Sequence, residues 1–381
     1  MITDERPATV RVGPVGSRAD FAAFIELPYR LYTGNQTWVP PLRRDVAHML
    51  ELSHPFYQHA ERELFLAYDA AGTVVGRIAA IKNDAHTAQH HDRTGFFGFF
   101  ESVRDQAVAN ALFQAAAGWL AGRGLTVMRG PVSPSINDEV GLLIDGFQWA
   151  PVVMMPYNPP YYAELIERAG FVKAKDVIAY RHTSAEGVPE RVVRLSEALA
   201  KRHKIVVRPL DVKQFDKEVD RVRMLYNTCW EANWGAVAMT DAEFADLAKQ
   251  LKPVVVPELV AFGEVDGELA GFALALPDLN VALKRMGGRL LPFGWVKALW
   301  YGRDGAVPGL RVLTLGVLPK HRLTGVAELM YLAIIRNGLK RGMTYGESSW
   351  ILEDNALMRQ SIEKIGGVAY KTYRIYDKPI A

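Results

Sequence analysis

Apolar and polar positions run along this chain in the same order twice. Residues 65–81, FLAYDAAGTVVGRIAAI, set two apolar runs about a glycine turn, and residues 260–276, VAFGEVDGELAGFALAL, do so again. Apolar runs bounded by turn residues predict β-hairpins, and Asp266-Gly267 is a dipeptide that closes such turns. Gly72 and Gly76 precede Gly267 and Gly271 by one shared offset of 195 residues, while IERAG at 166–170 precedes IEKIG at 362–366 by 196.

Each half predicts one succession of elements. An opening strand (9–12 and 204–209) leads through helical segments to the hairpin. An apolar strand (95–100 and 310–318), a long helix (105–122 and 324–341) and a further strand (125–129 and 345–351) follow. A short helix ending in glycine and a last strand (172–181 and 369–376) close the unit. The copies stay in step if each carries an insertion of roughly 22 residues, near 131–155 in the first and 278–305 in the second. The pattern predicts an α/β fold with a mixed sheet, made as two similar domains at 1–195 and 196–381, with SAEGVP at 184–189 as linker.

Composition narrows the class. Of the 381 residues, 49% are hydrophobic and 23% charged, the balance of a folded chain long enough for two cores. The formal charge of +3 is spread along the sequence; it suits an anionic ligand or an acidic membrane surface and is too weak to argue for nucleic acid. Cys229 stands alone, which excludes an intrachain disulfide and a cysteine-built metal site; no metal is expected. MITDERPATV at the start lacks the apolar core of a leader, and no segment offers about 18 uninterrupted apolar residues. A cytoplasmic location is expected, with peripheral contact at the inner membrane surface left open.

The stretch LGVLPKHRLTGVAELM, 315–330, holds the candidate chemistry. An apolar strand stops at Pro319, and a helix begins near Gly325. Unpaired N–H groups in a first helical turn and the positive end of the helix dipole favour an anion, and glycine permits close approach. Lys320, His321 and Arg322 add positive charge, so the pattern fits a pyrophosphate cradle. The corresponding junction of the first half, ESVRDQA at 101–107, lacks the glycine and carries acidic residues.

Val317-Leu318-Pro319-x-x-Arg322-x-x-Gly325-x-Ala327 resembles the coenzyme A loop of the GNAT superfamily of acyltransferases, and Asn355 followed by Glu363-Lys364-Ile365-Gly366 resembles that family's later helix. The resemblance implies a tandem GNAT-like fold whose first copy has lost coenzyme binding. It implies acyl-CoA as co-substrate, held by Leu315, Gly316, Val317, Arg322, Leu323, Thr324, Gly325, Val326, Ala327 and Asn355. It further implies direct attack of an amine on the thioester, with a backbone N–H of residues 315–317 facing the carbonyl. Glu347 and Glu353 are the candidate bases. The family's tyrosine acid has Ile362 in its place, which leaves Tyr373, Tyr331 or an unassisted thiolate.

Residues 287–303, GGRLLPFGWVKALWYGR, mix Trp295 and other large apolar residues with Arg289, Lys297 and Arg303, a pattern of a lid over a hydrophobic tunnel, an interfacial segment or a cover between the halves. GFFGFFES (95–102), GPVSPSINDEVGLLIDGF (130–147) and MMPYNPPYY (154–162) resemble a bacterial tandem acyltransferase group that includes ceramide synthase-like proteins, as do Asn233-Trp234-Gly235 and Met239-Thr240. That resemblance implies a long-chain acyl group passed to a sphingoid base, with Asn233, Trp234 and Trp295 at the substrate. An N-acetyltransferase of a small amine or protein and a non-catalytic interaction protein are the alternatives.

Overall fold

A computed structural model describes residues 10–184, 187–230, 233–289 and 305–380. The chain forms two compact units, one of Met1–Ala150, Pro156–Asp176 and Tyr373–Ala381, the other of Pro151–Met155 and Val177–Thr372.

The first unit contains β1 (Arg11–Pro14), α1 (Arg18–Leu31), α2 (Arg43–Leu50), β2 (Ala60–Tyr68), β3 (Val74–Asn83), α3 (Asp84–His90), β4 (Thr94–Ser102), α4 (Gln106–Ala121) and β5 (Val127–Gly130). The expected insertion supplies β6 (Val132–Ser133), β7 (Glu139–Val140) and β8 (Leu142–Asp145), and α5 (Tyr161–Arg168) follows. β9 (Val172–Thr183) leaves the unit after Asp176. The second unit then runs α6 (Glu190–Arg202), β10 (Ile205–Pro209), α7 (Phe215–Trp230), α8 (Asp241–Leu251), β11 (Val260–Val265), β12 (Glu268–Pro277) and α9 (Asn280–Met286). It continues with β13 (Gly309–Val317), α10 (Val326–Lys340), β14 (Tyr345–Leu352) and α11 (Ala356–Lys364), and β15 (Val368–Pro379) leaves it after Thr372. Residue 195, where the repeat divides the sequence, lies inside α6.

Both units carry the expected mixed sheet. In the first, β1 to β4 are antiparallel neighbours, β5 lies parallel to β4, and β15 lies antiparallel to β5. In the second, β10 to β13 are antiparallel, β14 is parallel to β13, and β9 is antiparallel to β14. The closing strand of each half therefore works in the other unit. The β11–β12 turn has φ of 51° at Asp266 and 82° at Gly267, the left-handed pair that an Asp-Gly hairpin turn requires.

Helices pack where their apolar stripes meet the sheets. Val108, Leu112, Phe113 and Ala116 of α4 share a core with Ile78, Phe97 and Phe100. Val326, Met330, Tyr331 and Ile334 of α10 meet Ala261, Ala273 and Val312 of the second sheet. Strand alternation turns Phe262 and Phe272 to the other face, where they meet Leu225 and Trp230 of α7. Burying each large apolar side chain contributes about 1.5–3 kcal/mol, so both faces of this sheet are pinned. Among the described residues no helix is long and apolar enough to cross a membrane.

Candidate active site

The second unit's parallel pair opens like a fork. β13 and β14 stay in register from Gly309 opposite Tyr345 to Val312 opposite Ser348; their pairing then ends, although β13 continues to Val317 and β14 to Leu352. On its other edge β13 shifts register against β12, with Leu274 opposite Thr314 but Ala275 opposite Val312. A bulge of this kind bends the strand and increases its twist, turning β13 away from β14. Leu315, Gly316 and Val317 follow the bend. A Cβ at Gly316 would come within 2.3 Å of the Trp230 ring, so glycine here lets α7 lie against the strand.

β13 leads to a tight turn at Pro319–His321 and then to α10, whose N-cap is Gly325. Gly325 has φ of +88°, and a Cβ there would lie 2.8 Å from Leu199 of α6. Glycine is thus demanded by backbone hand and by packing. No side chain caps α10. The hydroxyl of Thr324 donates to the His321 carbonyl at 2.8 Å, Arg322 donates to the Val317 carbonyl at 3.4 Å, and Lys320 pairs with Glu268. Leu323 at the tip is 87% exposed. This is an uncapped helix start with a cationic rim, which favours an anion by dipole and by unpaired donors.

The corresponding features of the first unit are occupied. Asp105 caps α4 and accepts from the Ala107 N–H at 2.8 Å, satisfying the donor an anion would need. The Phe99 N–H of β4 donates to the Ser133 hydroxyl at 2.8 Å, so the insertion fills the place beside that strand.

At the fork of the second unit lies a buried polar cluster. Glu347 is 1% exposed and accepts from the Ser349 hydroxyl at 2.5 Å and from the Tyr370 hydroxyl. Arg311, also 1% exposed, donates to Ser349 Oγ at 3.0 Å and to the carbonyls of Val153 and Met154 at 3.0 and 2.8 Å, and its guanidinium lies 4.9 Å from the centre of the Trp350 ring. Asp278 accepts from the Tyr345 hydroxyl and from the Val153 N–H. Burial raises the Asp278 carboxyl above its ordinary range and lowers Lys371 to about 8, with Glu347 and Asp278 pulling the ammonium back upward. Buried charges persist only when paired and hydrogen-bonded, and this set balances two acids against two bases. The hydroxyl of Thr314 and the indole N–H of Trp350, on the diverging stretches, are buried without a protein partner among the described residues. An unmet buried donor costs about 1–3 kcal/mol.

The sequence-named residues fall as follows. Leu315, Gly316 and Val317 form the last stretch of β13, beyond its pairing with β14, and the loop that leads from it into α10 is tied back by Arg322, which donates to the Val317 carbonyl. Asn355 caps α11 and accepts from the Met358 N–H at 3.2 Å, and Glu353 lies just before it, its carbonyl accepting from Arg359. Tyr373 belongs to the first unit, fully buried beside Gly141. Tyr331 stands at the fork on α10, where burial pushes its hydroxyl up to about 12 despite a hydrogen bond with Ser348. Asn233 and Trp234 form the turn after α7, with the Asn233 N–H donating to the Trp230 carbonyl. Trp295 lies outside the described residues. Sequence reasoning missed Arg311, Asp278, Lys371 and the segment Pro151–Met155. A lone arginine inside the apolar run GLRVLTLGV was a usable signal for Arg311.

No protein-family model matches the chain. A solved tandem GNAT protein from the clavulanic acid biosynthesis pathway superposes with a TM-score of 0.58 at 14% identity, covering 98% of this chain and 99% of that one. A GCN5-related N-acetyltransferase from Sphaerobacter thermophilus gives 0.53 at 12%, covering 97% and 96%. These likenesses establish the tandem GNAT fold. Protein YghO of Escherichia coli (strain K12) is 35% identical over 373 residues, 96% of this chain and 94% of its own. The bacterial ceramide synthase of Caulobacter vibrioides (strain NA1000 / CB15N) is 38% identical over 387 aligned residues, 99% of each chain. With an identity of that order carried from end to end on a fold of two GNAT copies, the chain belongs to the bacterial ceramide synthase family of acyltransferases.

Proposed function

We propose that this chain joins a long-chain acyl group, carried as a coenzyme A thioester, to the amine of a sphingoid base. The observation that carries the reading is the 38% identity to a bacterial ceramide synthase sustained over 99% of both chains. Within it, the half at 196–381 does the chemistry, and the half at 1–195 is a copy that has lost coenzyme binding. The Asp105 cap and the Ser133 hydroxyl, which take up donors in the first unit, support that division.

The diphosphate rests against the N–H groups of Leu323, Gly325, Val326 and Ala327, with Arg322 supplying charge and Asn355 flanking the coenzyme. A main-chain N–H between Leu315 and Val317 faces the thioester carbonyl. A fixed donor there stabilises the developing oxyanion by about 2.7–4 kcal/mol. Glu347 takes one proton from the ammonium, with Glu353 as the second candidate. The freed nitrogen forms its bond to the carbonyl carbon, the C–S bond breaks, and the nitrogen's second proton goes to the departing sulfur, with Tyr331 as relay. Asn233 and Trp234 stand on the α7 side, from which the amine enters.

Incubation with palmitoyl-CoA, acetyl-CoA and a sphingoid base, followed by mass analysis, tests the reading. The N-palmitoyl amide and free coenzyme A are the expected products. Accumulation of the N-acetyl amide alone would make the chain an N-acetyltransferase, and consumption or binding of neither thioester would leave an interaction protein.

A further inference from the structure

The second unit has a cavity of about 190 Å³ between α10 and the sheet, with Glu347 of the buried cluster among the residues that line it. Its walls are almost wholly apolar, with Val193 of α6 on one side and Ile335 and Leu339 of α10 on another. Its roof is Val312 and Ser348, the last residues that β13 and β14 hold in register before they part. Polar side chains gather at that end: the Ser348 hydroxyl lies 3.4 Å from His182 Nε2, and Tyr331 reaches Ser348 from α10. From Tyr331 to Leu339 the cavity follows α10 for ~12 Å, at the usual helical rise. An apolar cavity of about 150 Å³ takes up benzene, so this space accepts a hydrocarbon segment of about that size, larger than an acetyl methyl. The Leu339 end, half exposed, leaves room for a longer tail to run out.

We propose that this cavity receives the hydrocarbon tail of the acyl thioester, so that α10 binds the diphosphate at its first turn and the chain along its later turns. The inference rests on the acyltransferase reading and adds to it the seat of the donor chain. The reacting carbonyl then lies at the fork, with the tail on the α10 face and the amine on the α7 face. Donor length is set by Val193, Ile335 and Leu339, and not by the acceptor side.

The test is a donor-length profile of the intact protein, from acetyl-CoA through hexanoyl-CoA to palmitoyl-CoA with one sphingoid base, for wild type, Ile335→Phe and Val193→Phe. The two variants fill the cavity from different helices, and a thermal melt of each reports folding. Each methylene in an apolar pocket is worth about tenfold or more in rate, so both variants should lower palmitoyl relative to hexanoyl transfer by at least about tenfold. The preference of wild type for palmitoyl-CoA over free coenzyme A in direct titration should shrink in the same variants. A wild-type length profile retained in both folded variants overturns the cavity assignment and leaves the activity standing. A wild type that consumes no thioester of any length overturns the activity, and the assignment with it.

Discussion

Single residues at the fork carry sharply different burdens. Glu347 is the proton acceptor of the proposed reaction, so Glu347→Gln should lower kcat by about 10²–10⁴-fold while coenzyme affinity, measured by titration, stays at the wild-type value. Unchanged turnover would remove it from the mechanism. Lys371 makes a prediction about stability. Its folded value of about 8 lies below the ordinary lysine value because burial penalises the ammonium. Below pH 8 both folded and unfolded chains hold the proton, and the folded state bears the whole cost, about 3 kcal/mol. Between pH 8 and about 10 the unfolded chain keeps a proton that the folded one has released, so stability rises with pH in that window. Denaturant melts should show the rise in wild type and its loss in Lys371→Met. The glycine start of α10 was legible in the sequence because a left-handed N-cap packed against a neighbouring helix needs glycine; that it holds a coenzyme is the proposed reading. The polar cluster was not: Asp278, Arg311 and Lys371 are far apart in sequence, and only the strand register and the segment Pro151–Met155 bring them together.

At the scale of elements, two helices of like origin begin in opposite ways. α10 starts on Gly325 with no side chain over its N–H groups, and α4 starts on Asp105, whose carboxylate already fills that place. Gly325→Glu should abolish binding of coenzyme A in a calorimetric titration, whereas Ala107→Glu at the start of α4 should leave the dissociation constant unchanged. Equal losses would mean that both copies bind. Because Leu199 packs where a Gly325 Cβ would lie, the first variant also strains the α6 contact, and its melting temperature must be read beside the titration. Strands and helices were legible almost to their ends, since hydrophobic period and turn glycines fix them locally: the expected helix at 324–341 is Val326–Lys340, and the expected strand at 345–351 is Tyr345–Leu352. What the period cannot reveal is which sheet a strand joins, because β9 and β15 offer the same alternation to either unit.

For the whole molecule, that exchange decides what can be separated. The first unit takes its strand beside β5 from Tyr373–Pro379, where Asp377 forms a two-point pair with Arg129 at 2.8 Å, and the second takes its strand beside β14 from β9. Fragments cut at the repeat, 1–195 and 196–381, would each lack a strand of their own sheet, and the second would also lack Val153, whose carbonyl and N–H engage Arg311 and Asp278. Expressed apart, neither should show a cooperative melt, while the two together should recover one; a stable, coenzyme-binding 196–381 would contradict this. The consequence reaches into inheritance. A gene with one silent duplicated half would ordinarily be free to discard it, but a deletion here would remove a strand of the second unit's own sheet. On the proposed reading, the mute copy is retained as scaffold, under selection for its shape and not for a chemistry of its own.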